Sequence, residues 1–364
     1  MERINHLQEQ LTKNNLDSIF ITSKANVFYT SNYYTDPHER VVAIFIDNLG
    51  EPVFILPAME QEDAIEAGWK GELITYYDHE NPWQLFQAYL RKSKRMPTSL
   101  GIEKDHLTVE RLEQLQTIFN NTTFINAQSL LANLRVIKDG NEYSILKQAA
   151  AFADLGVKTG IEAIKQGKSE LEIVAEIEYT LKKQGVREMS FSTMVLSGTK
   201  TASPHGTPDH KKIEVGDLVL FDLGVVYNGY CSDITRTVAY KNITEQQQAI
   251  YQTVLAAQQK AIEAATIGTP VGDIDQAARQ HITDNGYGEY FKHRIGHGIG
   301  IDVHEFPSMA ANNTVTLKEG MCFTIEPGIY VPGVGGVRIE DEVFISENGT
   351  ELLTSFPKEL QIIE

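Results

Sequence analysis

The chain has 364 residues, 42% of them hydrophobic and 22% charged, a composition typical of a soluble globular protein with room for two ordinary domains. Its 49 acidic and 32 basic side chains give a formal net charge of −17, which argues against nucleic acid or an anionic membrane as a partner. Cys231 and Cys322 lack the spacing of disulfide frameworks and thiolate zinc sites. Because the sequence contains neither a signal-like start nor a long apolar run, we expect a cytoplasmic protein.

Residues 1–128 predict an α/β domain with its own sheet. Short β-rich runs alternate there with two helical patterns, at 60–68 and 82–91. The β-rich runs are 18–22, 41–46, 52–56 and 72–76. A long helical pattern over 141–165 follows, so we place the boundary between residues 128 and 129.

Residues 129–364 contain a faint internal duplication. Several residues recur at one constant offset, among them Ile161 as Ile262, Gly167 as Gly268 and Gly185 as Gly286. Farther along, segment 215–224 resembles segment 319–328, which makes Asp222 and Glu326 equivalent. Asp233 and Glu340 correspond less closely. The pattern predicts two pseudo-symmetric α+β halves, each with two helices and each offering two carboxylates to one shared site. Ser169 with Glu172 predicts a capping box at the start of one of these helices.

The first carboxylate pair lies on a predicted hairpin. Asn228-Gly229 between β-rich runs is a strong signal for a two-residue turn, and the resulting register places Asp222 opposite Thr235. Asp222 and Asp233 then become diagonal neighbours on one face. Two carboxylates this close in an apolar strand call for a cation between them, unless they form a solvent-facing pair on an edge strand.

The second pair is Glu326, which follows an apolar run, and Glu340, which shares a strand face with Arg338 and Glu342 by period-two alternation. We interpret Glu342 as a solvated residue of a surface strand.

His297 is the nitrogen ligand that we predict for this site. It lies four residues after His293, but the glycines around it argue against a helical zinc pair. Glycines on both sides would instead let the backbone approach a crowded site. Four carboxylates and one imidazole form an oxygen-rich ligand set, which favours two Mn²⁺ ions, with Co²⁺ or Zn²⁺ as alternatives. Two ions about 3.5–4 Å apart can activate water, so the set predicts a hydrolase.

The motifs around these residues resemble those of the pita-bread metallopeptidases, which include prolidases, aminopeptidase P and methionine aminopeptidases. The matching motifs are Phe-Asp222-Leu-Gly, Ser-Asp233-Ile-Thr-Arg, Gly-His297-Gly-Ile-Gly, Ile-Glu326-Pro-Gly and Val-Arg338-Ile-Glu340-Asp. Segment 293–305 fits the proline-specific branch, and segment 35–40 resembles the short bacterial Xaa-Pro dipeptidases. The resemblance implies a creatinase-like α/β domain at 1–128, then an α+β pita-bread catalytic domain at 129–364 with a pseudo-two-fold repeat.

The resemblance also implies a role for each site residue. Asp222 would bind one metal ion, and Asp233 and Glu340 would bridge both ions. His297 and Glu326 would complete the two metal sites separately. Glu326 would also carry a proton from water to the leaving proline nitrogen. Three further side chains would contact or orient bound groups. His205 and His304 would contact the substrate and stabilise the tetrahedral intermediate. Arg338 would also belong to the substrate-binding residues and would orient a bridging carboxylate.

Selectivity for dipeptides requires a cation or a steric block at the proline carboxylate. Some prolidases carry an arginine between the positions of His304 and Glu326, but here residues 306–324 offer only Lys318. Arg294 is therefore our first candidate, with a solvated loop arginine as the alternative. The charged loop 36–40 is the second candidate. It would narrow the active site of a partner subunit in a homodimer, unless it is an ordinary solvated turn.

The expected function is hydrolysis of Xaa-Pro dipeptides, so the expected partner is a small peptide ending in proline. Aminopeptidase P, which acts on longer Xaa-Pro peptides, remains an alternative. A catalytically silent peptide-binding protein on the same fold is an alternative of another class, although all five ligands are present. From the resemblance we also expect a homodimer.

Overall fold

The computed structural model describes residues 2–48 and 50–364. The chain forms two compact units, the first ending at Arg135 and the second running from Val136 to Glu364. The boundary predicted between residues 128 and 129 falls at the start of the last helix of the first unit. Within the described ranges, no helix is both long enough and apolar enough to cross a lipid bilayer.

The first unit contains a mixed six-stranded sheet in the order β4-β3-β2-β1-β5-β6. Its strands are β1 Ser18–Ile21, β2 Ala43–Asp47, β3 Val53–Pro57, β4 Glu72–Tyr76, β5 Ser99–Ile102 and β6 Thr123–Asn126. Its helices are α1 Glu2–Lys13, α2 Lys24–Ser31, α3 Gln61–Glu66, α4 Pro82–Ser93, α5 Val109–Ile118 and α6 Gln128–Arg135. The four β-rich runs of the sequence thus correspond to β1–β4, and both predicted helical patterns are confirmed as α3 and α4.

Aromatic side chains fill the core of this unit. Phe20, Phe45 and Phe86 are almost fully buried, and the ring of Phe86 contacts the rings of the other two. Both tryptophans of the chain lie in this unit, Trp83 beside Phe20 and Trp69 beside Phe54. Burial of such large apolar rings is the main favourable contribution to the stability of the unit.

The second unit contains two helix pairs, as the duplication predicted. The helices are α7 Gly140–Glu162, α8 Glu170–Lys183, α9 Glu245–Ala264 and α10 Val271–Asp284. Complete capping boxes begin α7, α8 and α9, the one at α8 being the predicted Ser169–Glu172 pair. Gly185 and Gly286 adopt positive φ just after α8 and α10, which ends both helices.

The strands of the second unit form small antiparallel sheets that repeat in the same way. They are β7 Glu188–Met189, β8 Met194–Ser197, β9 Leu218–Leu223, β10 Val225–Tyr227, β11 Tyr230–Cys231, β12 Ile234–Tyr240, β13 His297–Gly298, β14 Glu305–Ser308, β15 Cys322–Ile325, β16 Gly328–Val331, β17 Gly335–Arg338, β18 Asp341–Ser346, β19 Gly349–Leu352 and β20 Ile362–Ile363. The main sheets have the orders β20-β12-β9-β8 and β14-β13-β15-β18-β19, with β20 parallel to β12. The pair β9 and β12 in one half thus corresponds to β15 and β18 in the other.

Candidate active site

The predicted hairpin turn holds the first carboxylate pair. Asn228 and Gly229 have φ values of 47° and 83°, and Tyr227 pairs with Tyr230 across the turn. Positive φ at both central positions is the signature of the two-residue turn that matches strand twist. The turn prediction is therefore confirmed.

Asp222 and Asp233 lie at neighbouring strand ends. Asp222 is near the end of β9 and pairs with Thr235 of β12, while Asp233 immediately precedes β12. The predicted register is confirmed. Neither aspartate is solvated, since their side chains are only 14% and 7% exposed. The solvent-facing alternative is therefore wrong.

Glu326 and Glu340 occupy the matching places in the other half. Glu326 immediately follows β15 and its backbone N–H donates to the carbonyl of Ile295 over 2.7 Å. Glu340 immediately precedes β18, and its Oε2 accepts a 2.6 Å hydrogen bond from the hydroxyl of Thr235. Thr235 thus joins the two halves, since it also lies opposite Asp222.

His297 begins the short strand β13, where close packing requires glycine on both sides. A Cβ atom on Gly296 would lie 1.9 Å from the carbonyl oxygen of Thr324, and one on Gly298 would lie 2.2 Å from that of Phe306. Any larger residue at either place would displace the backbone that presents the imidazole. The expected close approach is confirmed, and so is the non-helical conformation of the segment.

The imidazole of His297 is 3% exposed, and burial lowers its pKa to about 3. Its Nδ1 lies 3.1 Å from the carbonyl oxygen of Gly298, so the neutral ring carries its proton there. Nε2 is left with its lone pair pointing at the acids, 3.6 Å from Asp233 Oδ2 and 3.5 Å from Glu326 Oε1. An imidazole fixed in this tautomer is ready to bind a metal ion.

The arrangement also leaves carboxylate oxygens without partners. Three buried oxygens, Asp222 Oδ1, Asp233 Oδ1 and Glu340 Oε1, have no hydrogen-bond partner among residues 2–48 and 50–364. One ligand atom each from Asp233, His297 and Glu340 lies within 4.8 Å of the other two. Buried oxygens that lack hydrogen bonds are costly unless a cation compensates them, so the donor set fits divalent metal ions.

Burial and mutual repulsion shift the pKa values of the acids upward. Burial, followed by the charge of Glu340, raises the pKa of Asp233 well above its usual range. Burial, followed by the charge of Glu326, does the same to the pKa of Glu340. Burial raises the pKa of Glu326 itself to about 8. Crowded carboxyls of this kind bind either protons or a cation.

Arg338 is buried beside the carboxylates and holds Asp222, one of the predicted metal ligands. Its Nη2 donates to Asp222 Oδ2, its Nε donates to the Thr235 hydroxyl over 3.1 Å and its Nη1 donates to the Tyr330 hydroxyl over 2.9 Å. Tyr330 in turn lies 2.9 Å from Nε2 of His293. Arg338 is therefore placed to orient Asp222, whereas the resemblance implied a bridging carboxylate.

All the predicted site residues line one cavity of about 430 Å³. They are His205, Asp222, Asp233, Arg294, His297, His304, Glu326, Arg338 and Glu340. The ring of His304 packs edge-on against His297 with centroids 4.2 Å apart, and His205 is exposed. Arg294 is half-buried and donates to the hydroxyl of Ser308 over 3.0 Å. The lining is completed by His293 and by four apolar side chains, namely Phe191, Met194, Pro204 and Val303.

Glu342 corrects the sequence interpretation. We expected a solvated residue of a surface strand, but Glu342 is completely buried. Its Oε1 accepts the backbone N–H of Asp233 over 2.9 Å, and its Oε2 has no hydrogen-bond partner within the part of the chain that is described. The period-two alternation of side chains placed Glu342 on the correct face of β18, but both faces of this strand are buried. Tyr330 and Thr235 were also missed, and for Thr235 the register opposite Asp222 was the available signal.

The charged loop 36–40 belongs to the first unit and is mostly exposed. Asp36 pairs with Lys24 over 2.9 Å, and Arg40 pairs with Asp78 over 3.0 Å. These contacts tie the loop to its own unit. Its role in a homodimer stays a prediction.

Two family models match the chain. The model of metallopeptidase family M24 matches residues 144–347, and that of the creatinase/prolidase N-terminal domain matches residues 3–137. The chain belongs to metallopeptidase family M24. The recognition and the fold predicted from the sequence, a creatinase-like domain followed by a pita-bread catalytic domain, are thereby confirmed.

Individual relatives narrow the family to its dipeptidase and prolidase branch. The chain is 50% identical over 363 residues to a putative dipeptidase, YkvY, of Bacillus subtilis, and the match covers 100% of both chains. Among solved structures it resembles a prolidase of Pyrococcus horikoshii, with 37% identity, a TM-score of 0.92 and coverage of 99% of this chain and 100% of that one. It also resembles an Xaa-Pro dipeptidase of Bacillus anthracis, with 35% identity, a TM-score of 0.92 and coverage of 100% and 99%. The M24 chain is therefore a metallopeptidase of the dipeptidase and prolidase type.

Proposed function

We propose that this M24 chain hydrolyses Xaa-Pro dipeptides with two divalent metal ions, for which Mn²⁺ is the first choice and Co²⁺ or Zn²⁺ the alternatives. One observation carries the proposal. Buried oxygens of Asp222, Asp233 and Glu340 lack hydrogen-bond partners among the described residues and surround a neutral His297 whose lone pair faces the acids. Together with Glu326, these residues would hold the ions.

The reaction adds water across the Xaa-Pro amide. The water oxygen joins the acyl carbon, the C–N bond breaks, and a proton ends on the proline nitrogen. Divalent ions in such a site supply Lewis acidity to the scissile carbonyl and lower the pKa of water. Glu326 takes the proton from the water at a carboxylate oxygen and delivers it to the leaving nitrogen. A carboxylate beside the attacking water suits such general acid–base work.

Substrate recognition follows from the rest of the lining. An Xaa-Pro bond has no amide N–H, so it must be positioned through its carbonyl and its two ends. His205 and His304 line the cavity and would contact the substrate carbonyl region, and the lining side chains Phe191, Met194 and Val303 would offer an apolar surface to the proline ring. Both solved relatives named above carry prolidase or Xaa-Pro dipeptidase activity in their names, which supports the same substrate class here.

Arg294 is the proposed partner of the proline carboxylate. A guanidinium has five N–H donors, and the bond to Ser308 uses one of them. The remaining donors can bind a carboxylate in the bidentate way that arginine favours. A longer peptide has an amide at that place and would lose this charge-assisted interaction.

A direct assay tests the proposal. Chelated protein, before and after loading with Mn²⁺, is incubated with Leu-Pro, Leu-Pro-Gly and Leu-Gly, and released leucine is measured. Metal-dependent cleavage of Leu-Pro alone is expected. Cleavage of Leu-Pro-Gly would favour aminopeptidase P, whose metal site is the same. Metal binding without turnover of any of the three would reject the Xaa-Pro assignment and leave a metal hydrolase of another substrate class, whereas failure to bind metal would favour a silent peptide-binding protein.

We also propose a homodimer in which loop 36–40 narrows the partner's cavity to dipeptide length. The support is the family resemblance together with the dense, exposed charge of a loop that is tied down at Asp36 and Arg40. Light scattering measures the assembly. Neutralising Asp36, Glu39 and Arg40 is expected to admit Leu-Pro-Gly, and unchanged selectivity would reject this role.

A further inference from the structure

The loop that carries His304 is held through its backbone. The N–H of Cys231 donates to the carbonyl of Gly300 over 2.7 Å, and the N–H of Gly300 donates to the carbonyl of Asp302 over 3.1 Å. The ring of His304 touches His297, but neither of its nitrogens has a hydrogen-bond partner within residues 2–48 and 50–364. The direction of the ring therefore depends on the conformation of the loop.

The next residue is Glu305, whose carboxylate accepts hydrogen bonds from this loop and from Lys138. Oε1 accepts the backbone N–H of Asp302 over 3.1 Å, and a Cβ atom on Gly300 would lie only 2.7 Å from the same carboxylate. Oε2 accepts a 2.9 Å hydrogen bond from the ammonium of Lys138. The two side chains are 5% and 1% exposed, so this is a buried ion pair. One carboxylate thus contacts both ends of the turn that leads to His304.

Lys138 is itself fixed to the strand that leads to Glu326. Its backbone N–H donates to the carbonyl of Gly320 over 2.8 Å, and the preceding Ile137 forms a bridge with Met321. The strand β15 begins at the following residue and ends just before Glu326. Lys138 therefore connects the His304 loop to the strand that presents a predicted metal ligand.

We propose that Lys138 is a positioning residue for His304, acting through its buried ion pair with Glu305. The inference rests on the proposed function, in which His304 contacts the substrate. A buried ammonium and carboxylate in contact have few alternative arrangements, because moving either charge away from the other is electrostatically costly in the interior. The pair therefore fixes the Glu305 carboxylate, and this carboxylate fixes the turn before His304.

The test measures kcat/KM for Leu-Pro in K138M, H304A and the combined variant, with Mn²⁺ affinity measured by calorimetry. A misplacement of about 1 Å can cost about 10²-fold in rate, so a loss of that order is expected in K138M at unchanged Mn²⁺ affinity. K138M is expected to add nothing to the loss caused by H304A, because both act on the same imidazole. Losses that multiply would overturn the proposal. K147M, which removes an exposed pair with Glu351, is the matched control and is expected to match wild type.

The double variant K138M/E305M separates positioning from stability. Replacing both partners of a buried ion pair by apolar residues is often neutral for folding, so this protein is expected to fold even where K138M alone does not. The loop nevertheless loses the hydrogen bond from the N–H of Asp302 to Glu305, so the activity on Leu-Pro is expected to stay low. A double variant as active as wild type would show that the pair serves only stability.

A readout without catalysis keeps the two proposals distinct. The rate at which diethyl pyrocarbonate modifies His304, followed by mass spectrometry, is expected to change in K138M/E305M, while the rate at exposed His210 does not. An unchanged rate at His304 overturns the inference. Failure of the wild-type protein to cleave Leu-Pro would instead reject the proposed function and leave this measurement valid.

Discussion

At the scale of single residues, the candidate site combines a neutral imidazole with buried carboxylates whose oxygens are only partly hydrogen-bonded by the described residues. His297 is neutral and directs a lone pair at acids, and the acids Asp222, Asp233 and Glu340 each keep one buried oxygen without a hydrogen bond from any described residue. Burial raises the pKa values of Asp233 and Glu340, so without a cation these carboxyls bind protons more tightly than ordinary carboxyls do. Residues that surround the ligands without joining them are the best places to test this arrangement.

Arg294 tests recognition of the substrate carboxylate. A charge-assisted hydrogen bond contributes about 1.5–3 kcal/mol, so we expect Arg294→Met to raise KM for Leu-Pro by about 10- to 100-fold at an Mn²⁺ affinity like that of wild type. Leu-prolinamide, which lacks the carboxylate, is the control substrate and should show little difference between the two proteins. Equal losses on both substrates would assign Arg294 another role.

Substitutions at Glu342 test whether its carboxylate orients Asp233, a proposed metal ligand. Its carboxylate accepts the N–H of Asp233, so Glu342→Leu removes that acceptor, whereas Glu342→Gln keeps one. Loss of a residue that orients a metal ligand typically costs about 10- to 100-fold in affinity, and we expect this for the leucine variant in Mn²⁺ titrations. The glutamine variant should stay closer to wild type. Equal affinities in the two variants would contradict this role.

His293 gives a prediction about pH. Burial lowers its pKa from 6.5 to about 4, so between these values the unfolded chain binds a proton that the folded chain does not. The folded state therefore loses stability as pH falls through this window, by about 3 kcal/mol once pH is below both values. In chelated protein, His293→Gln should abolish this part of the acid destabilisation, measured by urea unfolding at pH 4 and 7. Exposed His210→Gln is the control and should follow wild type.

At the scale of elements, the turn between β10 and β11 sets the register of the first carboxylate pair, because β9 and β12 continue the same antiparallel pairing. The turn adopts positive φ at both Asn228 and Gly229, a region that costs residues other than glycine about 1–2 kcal/mol. We expect Gly229→Ala to lower the free energy of unfolding by that amount in urea titrations. Gly140→Ala is the matched control, because Gly140 begins α7 with nothing near its Cβ position, and there alanine should stabilise slightly. An unchanged urea midpoint of unfolding in Gly229→Ala would contradict the assigned turn.

The elements also show what the sequence could predict. The Asn-Gly turn and the internal duplication led to the correct register at Asp222 and to paired helices in each half, because both signals are local or repeated. Burial of Glu342 was not predictable, since alternation tells which residues share a face but not what covers that face. The pairing of Lys138 with Glu305 was missed for another reason. The two residues are far apart in sequence, and each alone is an ordinary charged residue.

At the scale of the whole molecule, all the proposed ligands belong to the second unit, whereas both tryptophans belong to the first. A ligand that binds only the folded state stabilises it by about 2.7 kcal/mol at one hundred times its Kd. We expect chelation to lower the unfolding temperature of the second unit. Calorimetry measures this transition, while tryptophan fluorescence follows the first unit and should change little. Equal shifts in both signals would mean that the two units unfold as one.

The duplicated halves have a consequence for how the ligand set stays assembled. One half supplies Asp222 and Asp233, and the other supplies His297, Glu326 and Glu340. A polypeptide with a single half could complete the set only by meeting a second copy, so its metal affinity would depend on protein concentration. Joining the halves in one chain replaces that encounter by an intramolecular one, with an effective concentration set by the connection rather than by the cell. The metal affinity of this protein should accordingly be independent of the protein concentration.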